Sequence, residues 1–140
     1  MANISYTAVI LDDISRENLR KEFNSWDGAF PQGWEWIAHH MTIKLGQLSE
    51  DLRNELLGKK VILKITKIAD NDKVMAIGVT GCYCERKIPH VTLAVNRADG
   101  GKPHMSNDLK DWFPYSTNFD LTGTIQEVEN PTQKMTEKKA

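Results

Sequence analysis

Net charge is what this chain has least of. Its 140 residues carry 18 Lys and Arg against 19 Asp and Glu, a formal charge of −1. Proteins that grip long nucleic acid usually show a strong basic excess. A nucleotide, a short oligonucleotide or an RNA end therefore suits this chain better than a long duplex. Cysteine is scarce too, with two residues, Cys82 and Cys84. They stand too close in an extended strand to bridge comfortably, and two thiols fall short of a zinc site. They read as partly buried free thiols of a reducing cytoplasm. No apolar run approaches membrane-spanning length. The N-terminus lacks the basic segment, apolar run and cleavage site of a secretory signal. A soluble, cytoplasmic protein with no membrane partner is expected. There is no G-x-x-x-x-G-K-[ST] loop, which argues against ATP-dependent chemistry. No three histidines or carboxylates fall at ligand spacing, so no metal site and no cofactor are expected.

What the chain does have is one domain's worth of alternating patterns, with 40% hydrophobic and 26% charged residues. Tyr6 to Leu11 reads as a first strand. Ser15 is placed to cap a helix from Arg16 to Asn24, with Leu19 and Phe23 on one face. Residues 25–36 read as a loop holding Trp26, Trp34 and Trp36, either core plugs or stacking platforms for a base. Residues 37–45 form a strand that Gly46 ends. Ser49 caps a short helix with a stripe of Leu52, Leu56 and Leu57, which Gly58 stops. Residues 60–84 make a hairpin turning at Asp70-Asn71-Asp72. Pro89 leads into another strand ending near Val95, and a polar loop comes next. Ser106 or Asn107 caps a third helix burying Leu109, Trp112 and Phe113, with Pro114 ending it. Phe119 to Val128 is the last strand. The domain is expected to span residues 1–129, with 130–140 a disordered polar tail.

Two of these strands say the same thing. His40-Met41-Thr42-Ile43 and His90-Val91-Thr92-Leu93 each give a histidine, an apolar residue, a threonine and an apolar residue, in a chain with four histidines. Alternate strand side chains leave on one face. His40 and Thr42 therefore share a face, as do His90 and Thr92. Met41, Ile43 and Leu45, with Val91, Leu93 and Val95, point into a core. Facing each other across a groove, the strands would offer two imidazoles and two hydroxyls to one phosphodiester. One histidine takes a proton from the nucleophile, the other gives one to the leaving oxygen, and the hydroxyls hold the charge on the phosphate.

The paired motifs resemble the H-x-[ST]-ψ signature (ψ apolar) of the 2H phosphoesterase superfamily. That superfamily includes LigT-like RNA 2′,3′-cyclic phosphodiesterases, the cyclic phosphodiesterase domain of fungal and plant tRNA ligases, and viral enzymes that destroy nucleotide immune signals. The wider stretches, from Ala38 and from Pro89 to Asn96 followed by Ser106-Asn107, look most like the small phage-borne and RNA-repair-associated members. The resemblance implies an α+β fold of two lobes with mostly antiparallel sheets, approximate two-fold symmetry and a central cleft. It makes His40 and His90 the acid–base pair and Thr42 and Thr92 the phosphate-holding hydroxyls of a metal-independent phosphodiesterase. The expected partner is a cyclic nucleotide, a cyclic oligonucleotide or an RNA 2′,3′-cyclic phosphate end. The short chain leans towards a viral enzyme acting in the host cytoplasm on a cyclic oligonucleotide signal. RNA-end processing is the alternative, and a non-catalytic nucleotide sponge the reading from another class.

Other residues are candidates for substrate contact, each beside a duller role. Tyr6 lines the cleft or packs. Trp36 stacks on a base or plugs the core. Lys44 continues the His40–Thr42 face, and Arg97 and Lys102 flank the Gly100-Gly101 loop. Any of the three would pair with a second phosphate or remain solvated. Glu127 reaches a base edge or lies on the surface. His104 is exposed or helps hold a phosphate. His39, adjacent to His40, points to the opposite face of a regular strand and reads as a core or edge histidine.

Overall fold

The computed structural model describes residues 4–24 and 33–129. The expected polar tail and Trp26 lie outside them. Eight strands and two helices run in chain order: β1 (Ile4–Leu11), α1 (Asp13–Asn24), β2 (Trp34–Trp36), β3 (His40–Leu45), α2 (Glu50–Leu56), β4 (Lys60–Asp70), β5 (Val74–Thr80), β6 (His90–Asn96), β7 (Phe113–Pro114) and β8 (Leu121–Glu129). Every described pairing is antiparallel. The strands take the order β2-β6-β3-β1-β8-β4-β5, and β5 pairs back onto β6, so the ladder closes on itself. Leu19 and Phe23 of α1 pack with Val9, Met41, Ile43, Leu63, Ile77, Val91, Leu93, Leu121 and Ile125 in the main core. No described helix is long and apolar enough to cross a membrane.

Local chemistry explains most boundaries, including those that differ from expectation. Helix α1 begins earlier than Ser15, because Asp12 is its cap and accepts the Ser15 amide at 2.8 Å. Ser15 is instead buried, and its hydroxyl accepts the Thr122 amide at 2.7 Å. Ser49 does cap α2. The leucines of α2 pack against the core without being fully buried. The hairpin β4–β5 turns where Asn71 Oδ1 accepts the amides of Lys73 and Val74. Part of the expected loop, Trp34–Trp36, is a strand on the edge of β6. The third helix does not form. A 3-10 stretch, Pro103–Asp108, stands in its place. Phe113 is 64% exposed, and with Pro114 it pairs β4 rather than closing a helix.

The two histidine strands share a feature invisible to a period-two pattern. The ladder from β3 to β1 runs Thr42 to Ala8 and then Lys44 to Thr7, stepping over Ile43. The ladder from β6 to β5 runs Thr92 to Ala76 and then Ala94 to Met75, stepping over Leu93. Each motif thus carries a bulge at its fourth residue, which reverses the facing of the residues beyond it. Leu45 is consequently 65% exposed rather than in the core. Val95 leaves the main core for a smaller cluster with Ala69, Val74, Ala76 and Leu109.

Candidate functional site

Strands β3 and β6 touch at one bridge, Met41 opposite Val91. In an antiparallel pair this register sets His40 against Thr92 and Thr42 against His90. The four side chains line one cleft of about 230 Å³. Tyr6, His104, Arg86, Ser106 and Asn107 line it as well. Leu45, turned outward by the bulge, forms part of the same wall.

His40 is held on two sides. Tyr6 stacks on it with ring centroids 4.9 Å apart and planes 26° from parallel. His39 meets it edge-on, Nδ1 to Nδ1 at 3.0 Å. This contact arises because β3 begins only at His40, not at residue 37. Ala38 takes φ of 41°, a left-handed conformation rare outside glycine. The segment is pinned by Arg16, which donates to the Ala38 and Ile37 carbonyls at 2.9 and 3.2 Å. His39 is therefore not on the opposite face. Burial, then the neighbouring His39 and His90, lower the His40 pKa to about 4. One of the two facing nitrogens must donate and the other accept, so two cationic rings are incompatible with the contact.

His90 is fixed differently. Its Nδ1 donates to the Ile88 carbonyl at 2.8 Å, because a carbonyl can only accept. Its Nε2 lies 2.9 Å from the Ser106 hydroxyl. That hydroxyl is 2.7 Å from Thr92 Oγ1 and donates to the Pro103 carbonyl at 2.8 Å. Burial lowers the His90 pKa most, the bond to Ile88 raises it, and the Arg86 charge lowers it.

Arg86 and Ser106 are the site residues that sequence reasoning passed over. Arg86 carried no role in the sequence reading, and Ser106 read as a helix cap. The connection before His90 is tied to β3: Glu85 N donates to the Ile43 carbonyl at 3.0 Å. The Cys84 thiol donates to the Thr42 carbonyl at 3.4 Å and accepts the Arg86 amide at 3.4 Å. Both cysteines are free, and burial raises both thiol pKa values. Arg86 Nε is buried without a hydrogen-bond partner. An orphaned cationic donor lining a cleft is costly unless an anion meets it there. The signal in the sequence was its place four residues before a motif histidine.

Most other candidates stand away from the cleft. Trp36 packs against the core, 6.3 Å from the Phe23 ring, with the Arg20 guanidinium 5.9 Å from its centroid. Lys44, past the bulge, lies 3.8 Å from Glu85. Arg97 pairs with Glu35 at 2.6 Å. Glu127 is engaged by Arg53 through two bonds of 2.5 and 3.1 Å and does not line the cleft. Lys102 precedes the 3-10 stretch, exposed and outside the cleft wall. Among the described residues no three His, Cys, Asp or Glu side chains gather as ligands.

Residues 21–139 match the family model of the fungal tRNA ligase phosphodiesterase domain. The chain belongs to that family. It is thereby a member of the 2H phosphoesterase superfamily and a 2H phosphodiesterase enzyme. No curated protein matches the chain. The family match spans both histidine strands, the Arg86 turn and Ser106.

Proposed function

We propose that this enzyme hydrolyses the 2′,3′-cyclic phosphate at an RNA end, in a cleft between two halves of the sheet, without a metal. The observation that carries the proposal is the crossing of β3 and β6. It brings His40, Thr42, His90 and Thr92 to one pocket. The matched family supports the substrate, since a tRNA ligase phosphodiesterase domain works on an RNA end. The equivalent bulges at Ile43 and Leu93 support the two-fold reading of the halves.

His40 is the base. With its pKa lowered to about 4 it is neutral over most of the pH range, and in the tautomer this role requires, its Nδ1 donates across the 3.0 Å contact to His39. That leaves the Nε2 lone pair for water. Water attacks phosphorus and loses a proton to His40. The bond from phosphorus to one ribose oxygen breaks, and His90 Nε2 protonates that oxygen. The product is a ribose monophosphate with the other hydroxyl free. His39 is a positioning residue that sets the His40 tautomer. Thr42, Thr92 and Arg86 face the non-bridging oxygens, where donors in a desolvated site are worth most.

The second reading is a viral enzyme that opens a cyclic oligonucleotide signal, which the motif resemblance favours. One panel separates them. The purified protein is incubated, with and without EDTA, with 2′,3′-cyclic nucleotides, RNA carrying cyclic ends, and cyclic oligonucleotides, and products are resolved by chromatography. Ring opening at RNA ends supports the first reading, and linearised cyclic oligonucleotides the second. Binding without turnover would replace both with a nucleotide sponge. Loss of activity on chelation would overturn the metal-free chemistry.

A further inference from the structure

A second cavity of about 500 Å³ adjoins the cleft. The two share Arg86, His90, Ser106 and Asn107. The cleft, at about 230 Å³, is smaller than the ~300 Å³ at which small-molecule sites usually begin. The neighbouring basin more than doubles the space.

The basin's chemistry is unlike that of the chain as a whole. Arg86, Lys87 and Lys110 line it against one carboxylate, Asp108, in a protein of net charge −1. Lys87 and Lys110 are exposed, and neither enters an ion pair among the described residues. Arg86 Nε is the buried donor left without a partner. Trp112 adds ring surface, its centroid 6.3 Å from that of His90. Its indole N–H is spent on the Leu109 carbonyl at 3.2 Å. Lys67 Nζ sits over the ring, 5.7 Å from its centroid, and the ring also packs on the smaller core cluster, so what it offers a ligand is the ring surface left in the basin, for stacking that tolerates any base.

From this juxtaposition we infer that the basin seats the nucleotide next to the scissile phosphate. Its base lies against Trp112 and its phosphate among Arg86, Lys87 and Lys110. The substrate is then an oligonucleotide strand rather than a mononucleotide. The inference rests on the cleft being the hydrolytic site. Linear RNA with a cyclic end and a cyclic oligonucleotide both supply this chemistry.

The test compares kcat/KM for a 2′,3′-cyclic mononucleotide, a trinucleotide with the same cyclic end, and a cyclic trinucleotide. It uses the full chain, Trp112→Ala, and Lys87→Ala with Lys110→Ala. Wild type is expected to prefer one trinucleotide over the mononucleotide by tenfold or more, and the preferred form names the source. Both variants are expected to cut that preference about tenfold. The double lysine variant, which changes only exposed residues, should also flatten the salt dependence. Equal rates on mononucleotide and trinucleotides in wild type would overturn the inference, as would an unchanged preference in the double lysine variant. Should no substrate turn over, trinucleotide binding is read by tryptophan fluorescence. Tighter binding than the mononucleotide, weakened in the lysine variant, keeps the basin and removes the hydrolytic reading. Equal binding of both ligands removes the basin.

Discussion

The rings of His39 and His40 meet nitrogen to nitrogen, Nδ1 to Nδ1 at 3.0 Å. Successive residues of a regular strand point apart, so the contact exists only because the chain kinks at Ala38 before β3 begins. The contact orients the His40 ring, and the charge interaction between the rings lowers the His40 pKa. His39→Ala should therefore reduce kcat about tenfold and move the acid limb of the pH–rate profile upward from about 4. Burial remains in the variant, so the limb should stop short of the ordinary value of about 6.5. A residue that merely packs would lower stability and leave the limb where it is. Steady-state rates between pH 3.5 and 8 decide.

The proposed acid–base pair, His40 and His90, should set a bell-shaped profile displaced to acid pH. In free enzyme the acid limb, set by His40, should lie at about 4, and the alkaline limb, set by His90, below the usual histidine value. The profile of kcat/KM should accordingly peak below pH 6.5. Bound phosphate cancels the Arg86 charge that depresses His90. The alkaline limb of kcat should then lie at higher pH than that of kcat/KM. Coincident limbs, or rates flat from pH 5 to 9, would contradict the assigned roles. His40→Ala and His90→Ala should each lose about 10²- to 10⁴-fold in kcat with unchanged circular dichroism.

Burying His40 also has a cost in stability that pH reveals. Its folded pKa, about 4, lies below the unfolded value of about 6.5. Between these values the unfolded chain binds more protons, so stability falls as pH drops through that window and levels off below it. Near pH 5 the loss from this group is on the order of 2 kcal/mol. His40→Gln cannot protonate and should lose correspondingly less between pH 7 and 5. Urea midpoints for both proteins measure the difference, and carboxylate contributions are common to both. Equal losses would mean that His40 is not buried as neutral imidazole.

Much of this architecture was legible because apolar periodicity reports burial directly. Strands β1, β4, β5, β6 and β8 and both helices stand close to where alternation and capping residues put them. Facing alone put His40 beside Thr42 and His90 beside Thr92, and the family resemblance joined the two pairs, which line one pocket. What escaped was set by backbone geometry rather than side-chain type. The bulges at Ile43 and Leu93 leave the residue pattern intact while reversing Leu45 and Val95. Three residues at Trp34–Trp36 are too few to show a period. Ser15 and Asp12 are both small polar residues near the start of α1, and only the fold decides which one caps. Arg86 is a surface charge by composition, and it reaches the cleft because Cys84 and Glu85 tie its turn to β3.

Ser106 supplies the sharpest test of how His90 is tuned. Its hydroxyl has one hydrogen and three partners: the Pro103 carbonyl, His90 Nε2 and Thr92 Oγ1. When His90 is neutral, the hydrogen can turn to Nε2. When His90 is protonated, Nε2 donates and the hydrogen goes to Pro103. The hydroxyl thus tracks the proton on His90. Bonds to a charged donor are the stronger ones, so Ser106 favours the cation. Ser106→Ala should lower kcat about tenfold, the worth of about 1.4 kcal/mol. It should also move the alkaline limb further down in pH. The residue is 2% exposed, so some loss of stability is expected from the change as well. A stability loss with an unmoved limb would reduce Ser106 to packing, whereas a shifted limb at full folding ties the hydroxyl to the proton on His90.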